Sequence, residues 1–548
     1  MQRQSSLAAL AEEVFDLLII GGGITGCGVA REAARRGLRT ALVEAGDFAG
    51  GTSSRSTKLI HGGLRYLKEF DFQLVREAVS ERQRLVAAAP HLVRPIWFVF
   101  PVYRGDPDPL WKLRIGLWLY DRYAGPTLGG YRHRPLPPAR LLEEEPLLRR
   151  QDLVGGAMYT DSVTDDARLT VTVARAAAAA GAVLANHAAV VGFLRDGSGR
   201  VTGARVEDRL APGTVIEVRA RKVLNATGPW GDQVRRLDEP EASRLLRLTK
   251  GIHLAFPRQR LPLRHAVTMR GPDGRIMFAV PRGDFAYAGT TDTVYEGDPG
   301  RPLVEPQDAR YVLEAVNRNF PGAGLEPGDV ISAWAGLRPL IDPGDTRSPG
   351  AISRDYKLFT SPSGLVTVAG GKLTAYRAMA EKIVDEVFPA TRGAPVDAEP
   401  LPGGDRLPSA AEIDQAAAAH GLDRRQVEVL VGRYGGDFGS VLEELEPGAA
   451  PAPAAPQSGD AGVQDARVRR IRAEARWAVR REMAQTLGDL LWRRAPEGLW
   501  SHDNGRSVAA AAAEVMGDLL GWDQRRRQAE IDAYLQQVET MHAWKAGV

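Results

Sequence analysis

Residues Phe15–Gly26, FDLLIIGGGITG, combine an apolar run with three closely spaced glycines. The glycines are Gly21, Gly23 and Gly26, in GxGxxG spacing. The first permits a tight turn, the second lets the backbone approach a pyrophosphate, and the third allows a helix to pack closely on the strand. The stretch therefore predicts a strand, a phosphate-binding turn and the start of a helix.

The following residues complete a βαβ unit. Residues 29–36 continue as a helix, Thr40–Val43 form a second strand, and Glu44 stands 18 residues after Gly26. An acid at this place accepts hydrogen bonds from ribose hydroxyls. NAD and FAD share this fingerprint, so the unit predicts a dinucleotide site without choosing between them.

Three further segments favour FAD over NAD. Thr52–Leu67 (TSSRSTKLIHGGLRYL) is a hydroxyl-rich loop that leads to two glycines. Val223–Trp230 (VLNATGPW) and Leu365–Tyr376 (LVTVAGGKLTAY) are each a strand that ends in a tight turn. These segments are three further places where the backbone can come close to a bound ligand. Several such places suit a single extended cofactor, as is typical of FAD.

The length of 548 residues allows two or three domains. Residues 1–13 are predicted to be a tail or docking helix, and strands alternate with helices from 14 to about 390. Within that region, 275–292 is predicted to be two antiparallel strands around an Arg-Gly-Asp turn. Residues 391–548 are predicted to be a mostly helical domain with a flexible Pro/Ala-rich loop at 447–460.

Composition excludes several classes. A formal net charge of +3 gives no reason to expect nucleic-acid binding. The single Cys27 excludes an intrachain disulfide and a cysteine-held cluster. No apolar stretch approaches the roughly 20 residues of a membrane span, and Glu12 and Glu13 interrupt the N-terminal apolar run, unlike a secretory signal. Any membrane contact is therefore expected to be peripheral.

Eight segments, in their order along the chain, resemble FAD-dependent glycerol-3-phosphate dehydrogenases of the respiratory, bacterial type. They are GGGITGCGVAREAARRGL, TSSRSTKLIHGGLRYL, NATGPW, KGIHLAFP, AGTTDT, GLRPL, ISRDY and GGKLTAYR, followed more loosely by the C-terminal LLWRRAPEGLW. The HGGLRYL and GGKLTAYR strings are far more specific than the glycine fingerprint.

The resemblance implies an α/β fold. A Rossmann-like FAD domain of the glutathione-reductase type (about 14–88, 152–247 and 351–390) accompanies an antiparallel β substrate domain (about 89–151 and 248–350). It also implies noncovalent FAD, oxidation of sn-glycerol 3-phosphate to dihydroxyacetone phosphate and electron transfer to a membrane quinone. The expected location is cytoplasmic, peripheral on the inner face of the cell membrane and in contact with anionic lipid, with association as a homodimer left open.

The cofactor-binding residues follow from matching these motifs. They are Gly21, Gly22, Gly23, Gly26, Glu44, Thr52, Ser53, Ser54, Leu59, His61, Gly62, Gly63, Thr227, Gly228, Gly370, Gly371, Lys372, Leu373 and Thr374. No metal site is expected.

A phosphate ester needs cations, and arginine forks match phosphate best. The substrate-binding candidates are Arg65, Tyr66, Arg338, Arg354 and Lys372. Each has a structural alternative: an internal salt bridge for Arg338, an ion pair with Asp355 for Arg354, packing for Tyr66, and an exposed position for Lys372.

The catalytic candidates are His253, Arg338 and Lys372. Oxidation at C2 sends a hydride to the flavin and the hydroxyl proton to a base. His253, in the motif Lys250-Gly-Ile-His253, is the first candidate for that base, although a lone histidine is more often structural than catalytic. His61 is more easily read as a residue of the flavin loop.

Two basic stretches bear on membrane contact. Residues 111–120 (WKLRIGLWLY) mix aromatic residues with cations, as a membrane-surface helix does, but a core helix with snorkelling cations is slightly favoured. Residues 467–481 (RVRRIRAEARWAVRR) are typical of a solvated helix face, with lipid contact as the alternative.

Other functions remain open. A glycerol-phosphate oxidase would keep the flavin and pass electrons to oxygen, and an amine or amino-acid oxidase would bind a carboxylate instead of a phosphate. A flavoprotein scaffold would need no hydride geometry, so the joint presence of Lys372, Arg338 and His253 argues against it.

Overall fold

The computed structural model of the chain describes residues 1–63, 72–124, 132–342, 344, 356–391, 399–446 and 460–548. The strands are β1 (Val14–Ile20), β2 (Thr40–Val43), β3 (Leu59–Ile60), β4 (Val93–Tyr103), β5 (Arg134–Leu136), β6 (Leu153–Thr164), β7 (Val183–Ala185), β8 (Ala188–Arg195), β9 (Val201–Asp208), β10 (Val215–Asn225), β11 (Leu246–Pro257), β12 (Ala266–Arg270), β13 (Ile276–Arg282), β14 (Phe285–Gly289), β15 (Thr293–Val294), β16 (Ser332–Ile341), β17 (Lys357–Thr360) and β18 (Val366–Ala369).

The helices are α1 (Arg3–Glu12), α2 (Ile24–Arg35), α3 (Phe72–Ala88), α4 (Leu110–Ala124), α5 (Pro138–Glu144), α6 (Asp166–Ala179), α7 (Gly231–Asp238), α8 (Pro306–Asn319), α9 (Tyr376–Val387), α10 (Ala410–His420), α11 (Arg424–Tyr434), α12 (Phe438–Leu442), α13 (Asp460–Glu482), α14 (Leu487–Asp489), α15 (Glu497–Trp500), α16 (Arg506–Leu520) and α17 (Gln524–His542).

The first sheet has β1 near its centre. Its strand order is β17-β18-β10-β1-β2-β7, and β18, β10, β1, β2 and β7 run parallel. Leu17 and Ile19 belong to the core beneath α2, α6 and α9, while Leu18 and Ile20 belong to the core on the other side of the sheet. Burial on both faces explains why this strand is an unbroken apolar run.

The second sheet is ordered β15-β11-β14-β13-β12-β4-β6-β3, with β16 paired to β11 and β5 to β6. Its neighbours are antiparallel except for β4 and β12. The predicted hairpin is present as β13 and β14, joined by Gly283 and Asp284. Helix α8 contributes to the core on one face, and Leu113 and Leu117 of α4 contribute to the core on the other.

One predicted domain boundary changes. Residues from 152 onward were assigned to the flavin domain, but β6 pairs along its length with β4 and so belongs to the second sheet. The return to the first sheet comes with α6, whose Leu169 and Val173 pack in the same core as residues of α2.

Residues 1–13 hold a helix fixed to the first sheet. Leu10 of α1 is buried in one of the sheet's cores, and Arg3 pairs with Asp208 of β9. The sequence predicts either a tail or a docking helix for these residues, and in the structure they form a helix that packs on the sheet.

The C-terminal helices α10–α17 form two cores of their own and are joined to the first sheet by buried ion pairs. Arg168 of α6 donates to both carboxylate oxygens of Glu482, at 2.6 Å from Nη1, and both side chains are fully buried. Arg493 and Arg494 pair with Asp47, which follows β2. The predicted flexible loop lies outside the described residues except for Asp460.

Most of the basic stretch 467–481 is neutralised within the molecule. Five of its seven arginines pair with acids of the same domain: Arg467 with Glu497 and Asp503, Arg470 with Glu474, Arg472 with Glu514, Arg476 with Glu446 and Arg480 with Glu444. These pairs give the stretch a structural function within its own domain.

None of the helices in the described ranges combines the length and the apolar composition that a bilayer crossing requires.

Candidate flavin and substrate site

The glycine-rich segments converge on one edge of the first sheet. The parallel strands β1, β10 and β18 end at Ile20, Asn225 and Ala369, and each is followed directly by glycines or by a Thr-Gly turn. Because carboxyl ends of parallel strands meet at the same edge, the three turns lie side by side. This is the edge at which open α/β sheets bind nucleotides.

The three fingerprint glycines have different surroundings. Gly21 has φ +111°, and an added Cβ would lie 2.7 Å from the Ala226 oxygen. A Cβ on Gly26 would lie 1.9 Å from the Gly21 oxygen. A Cβ on Gly23 would meet only Ser53 Oγ, at 3.2 Å, among the described residues. Gly23 therefore faces space at the α2 N-terminus, where a pyrophosphate is stabilised by free N–H groups.

Glu44 is held close to the glycine turn. One carboxylate oxygen accepts the Gly22 N–H at 2.6 Å and the other accepts the Gly46 N–H at 2.8 Å. Burial raises the pKa of Glu44, and these two backbone bonds oppose the rise. The acid therefore lies beside the turn, where the fingerprint requires a ribose acceptor.

The Gly370-Gly371-Lys372 turn lies beside the first turn of α2. Gly371 has φ +111°, and an added Cβ would lie 4.0 Å from Thr25 Oγ1. Helix α9 begins only at Tyr376, so Lys372 precedes the helix instead of opposing its dipole from within. Thr374 Oγ1 donates to the His61 carbonyl at 3.5 Å, which brings the two predicted flavin segments together.

The hydroxyl-rich loop spans the gap between the two sheets. Thr52 Oγ1 donates to the Leu337 carbonyl at 2.7 Å, and Trp334 Nε1 donates to the Ser56 carbonyl at 3.0 Å. Both partners belong to β16, so a cofactor seated along this loop lies against the second sheet.

Arg338 lies on β16 with its guanidinium over Gly251. Nη1 donates to Asp292 at 3.1 Å, and Nη2 donates to Thr290 Oγ1 and to the Thr291 carbonyl, each at 3.2 Å. A Cβ on Gly251 would lie 2.5 Å from Nη2, so the glycine makes room for the cation. The predicted alternative, an internal salt bridge, is present. The side chain nevertheless stays 21% exposed.

His253 is enclosed by aromatic rings. It stacks on Trp334 with ring centroids 4.9 Å apart, and Nε2 lies 3.1 Å from Thr57 Oγ1. Nδ1 has no hydrogen-bond partner among the described residues. Burial, followed by the charges of Arg338 and Lys58, lowers the pKa of His253 well below its usual value, so the ring is neutral at pH 7. At 2% exposure the ring also fulfils a packing function.

The remaining predicted residues divide into two sets. Thr52, Ser53 and Ser54 form a single helical turn, Leu59 begins β3, and Thr227 and Gly228 follow β10. Arg65, Tyr66 and Arg354 lie outside the described residues.

Several contributors were not singled out from sequence. Asp292 lies within the motif string AGTTDT, and Gly251 lies within KGIHLAFP. Membership of a motif does not by itself assign either residue a function. Arg82, Tyr120 and Asp161 approach Gly62 from three different elements, and no sequence spacing indicates this.

Two family models match the chain. One, described as FAD dependent oxidoreductase, matches residues 16–377. The other, described as the C-terminal domain of alpha-glycerophosphate oxidase, matches residues 396–527.

Relatives and a solved structure agree with these matches. The aerobic glycerol-3-phosphate dehydrogenase of Bacillus subtilis (strain 168) is 38% identical over 547 residues, which cover 96% of this chain and 95% of that protein. The enzyme of the same name from Staphylococcus haemolyticus is 45% identical over 377 residues, covering 69% and 67%. The X-ray structure of the glycerol-3-phosphate dehydrogenase from Bacillus halodurans complexed with FAD has a TM-score of 0.78 and 33% identity, over 98% of this chain and 97% of that one.

The match over residues 16–377 makes the chain a flavin-dependent oxidoreductase, and Gly23 and Glu44, at the carboxyl edge of the parallel sheet, fit FAD as its cofactor. Within that class the chain belongs to the family of aerobic glycerol-3-phosphate dehydrogenases. The predicted fold class, cofactor and family are confirmed.

Proposed function

We propose that the chain oxidises sn-glycerol 3-phosphate to dihydroxyacetone phosphate. Arg338 carries this proposal, since it is a partly exposed guanidinium fixed on β16 next to the loop of the flavin site. Asp292 and Thr290 orient the guanidinium, and the planar fork of an arginine is well suited to a phosphate dianion.

The residues divide the chemistry between them. Bound FAD supplies the acceptor for the hydride that leaves C2. Arg338 binds the phosphate, together with Arg65 and Arg354 from the matching motifs. Lys372 lies at the turn after β18 and adds positive charge near the flavin. His253 accepts the hydroxyl proton, so C2 loses two electrons as hydride and the oxygen loses one proton.

The experiment that tests this function is anaerobic bleaching of the bound flavin. We expect glycerol 3-phosphate to reduce the flavin within one turnover, glycerol at equal concentration to reduce it far more slowly, and an amino acid to leave it oxidised. If an amino acid bleached the flavin instead, the substrate would be an amino acid and not a phosphate ester.

We propose further that electrons pass to a membrane quinone and that α4 docks the enzyme on the bilayer. Trp111, Ile115 and Trp118 recur on one face of α4 and are 64%, 53% and 59% exposed. The preference for a core helix is therefore wrong for this face, because Leu113 and Leu117 fill the core from the opposite side.

Charge favours an anionic lipid surface as the partner of α4. Lys112, Arg114 and Arg122 are exposed on the same helix. Aromatic residues flanked by cations suit the interface of an anionic bilayer. Five arginines of 467–481 pair with acids, and α4 adds exposed aromatic residues to its cations, so α4 is the stronger candidate surface.

Vesicle flotation tests the docking surface. We expect Trp111→Ala/Trp118→Ala to reduce recovery with anionic phosphatidylglycerol vesicles at least fivefold, while Leu303→Ala, at an exposed apolar residue on another surface, leaves recovery unchanged. Equal recovery of both variants would refute docking through α4. Light scattering on the wild-type protein without vesicles tests whether the chain forms a homodimer, which the sequence leaves open.

Oxygen is the second candidate acceptor. The family model for residues 396–527 is named for an alpha-glycerophosphate oxidase. Oxygen uptake with glycerol 3-phosphate, measured with and without a soluble quinone, separates the two. Turnover at full rate without quinone would favour the oxidase.

A further inference from the structure

The flavin loop is bonded to the substrate sheet at Gly62. Strand β3 pairs with β6, with Ile60 opposite Ser162, and then leads into His61 and Gly62. The Gly62 N–H donates to Asp161 Oδ1 at 2.9 Å and lies 3.1 Å from the Tyr120 hydroxyl oxygen.

Tyr120 lies at the centre of a saturated hydrogen-bond network. Its hydroxyl donates to Asp161 Oδ1 at 2.7 Å and accepts from Arg82 Nη1 at 2.8 Å. Arg82 also pairs with Asp161 at 2.6 Å, and both side chains are buried. One hydroxyl hydrogen and two lone pairs thus meet Asp161, Arg82 and Gly62. Burial raises the pKa of Tyr120 well above its usual value, so the hydroxyl keeps its proton.

Steric fit makes the contact specific for glycine. A Cβ at position 62 would lie 2.2 Å from the Tyr120 hydroxyl oxygen. On the other side of the loop, the His61 carbonyl accepts from Thr374, which follows the Gly370-Gly371 turn. The loop is therefore held between α4 and the segment that follows β18.

We infer that Tyr120 is a positioning residue for the flavin: through Gly62 it fixes the His61-Gly62 loop, and with Asp161 and Arg82 it connects that loop to α4. Tyr120 itself faces the core while Trp111 and Trp118 of the same helix face outward. The inference depends on FAD occupying the glycine-lined edge and not on the identity of the substrate.

Tyr159 provides a matched control. Its ring lies 6.3 Å from that of Tyr120, it is equally buried, and its hydroxyl lies 3.2 Å from Thr268 Oγ1, away from the flavin loop. Tyr159→Phe therefore removes the same group from the same core without changing Gly62.

The experiment compares holoenzymes of wild type, Tyr120→Phe and Tyr159→Phe. We expect Tyr120→Phe to raise the FAD dissociation constant about tenfold, the usual effect of one lost buried hydrogen bond, and to change the visible circular dichroism of the bound flavin. Tyr159→Phe should leave the FAD dissociation constant and the circular dichroism unchanged. It should lower the melting temperature by about as much as Tyr120→Phe does. Among the described residues Arg82 is connected to Gly62 through Tyr120 and Asp161, so Arg82→Lys should shift both flavin readouts in the direction of Tyr120→Phe.

Flavin readouts that are the same in wild type and Tyr120→Phe would overturn the inference. Equal changes in the two tyrosine variants would also overturn it, because the effect would then be one of general packing. Neither readout requires glycerol 3-phosphate, so a failure of the proposed substrate appears separately, as absent bleaching in the wild type.

Discussion

Replacing Arg338 by methionine tests the assignment of the phosphate site. Methionine fills the space over Gly251 and removes the charge. A charge-assisted bond contributes about 1.5–3 kcal/mol, and loss of the charge-assisted phosphate contact of Arg338 is expected to cost about 2–4 kcal/mol of transition-state binding. At about 1.36 kcal/mol per tenfold change, kcat/KM for glycerol 3-phosphate should fall roughly 30- to 900-fold.

The assay compares two substrates under quinone-saturated conditions. For unphosphorylated glycerol, kcat/KM should change less than about threefold, because glycerol has no group for the guanidinium to bind. Asp292→Asn serves as the matched variant: it weakens one contact of Arg338 but leaves those to Thr290 and Thr291, so its loss for glycerol 3-phosphate should be smaller. Equal losses on both substrates for Arg338→Met would show that Arg338 serves only the structural pair with Asp292.

Three other predictions concern the cofactor, the base and the domain contact. Gly23→Val should yield protein without the releasable FAD of the wild type, seen as absent flavin absorbance, because its side chain enters the space expected for the pyrophosphate; full flavin occupancy would contradict the placement. His253→Gln should slow anaerobic flavin reduction about a hundredfold in stopped flow. Since the pKa of His253 is lowered, the wild-type rate should stay level from about pH 8 to 6 and fall only on further acidification; a wild-type rate in the variant would leave His253 a packing residue against Trp334. Glu482→Gln should lower the melting temperature by roughly 5 °C or more, since it breaks a buried pair, whereas Glu412→Gln, at an exposed pair, should change it by less than about 1 °C. Burial raises the pKa of Glu482, but the Arg168 guanidinium outweighs this and lowers it to about 2, so the contribution to stability is complete above pH 4.5 and is lost as the pH falls towards 2; equal melting temperatures of Glu482→Gln and wild type at pH 7 would refute it.

Local features of the flavin site were predictable from sequence. The β1 strand, its glycine turn and α2 are consecutive, so propensity and spacing define them. Thr227-Gly228 and Gly370-Gly371 were also assigned to the cofactor, because strands that end in glycine turns meet at one edge of a parallel sheet. The functions of the individual site residues are tested by the variants described above.

Features that depend on distant partners were not predictable. Arg338 and Asp292 are 46 residues apart, and only the pairing of β16 with β11 brings them together. Likewise, α4 has two apolar stripes, and periodicity does not show that Leu113 and Leu117 face the core while Trp111 and Trp118 face outward. The apolar pattern of β6 is similarly compatible with either sheet.

The ion pairs between the two ends of the chain bear on how it folds during synthesis. Arg168 and Asp47 are buried in the N-terminal region, but their partners Glu482, Arg493 and Arg494 are synthesised at least 314 residues later. Until then a nascent chain has charges at these positions that must stay hydrated, because an unpaired buried charge costs several kcal/mol. The packing around Arg168 and Asp47 is therefore completed only after residues 482–494 have been synthesised, and a product terminated before residue 482 leaves both charges without these partners.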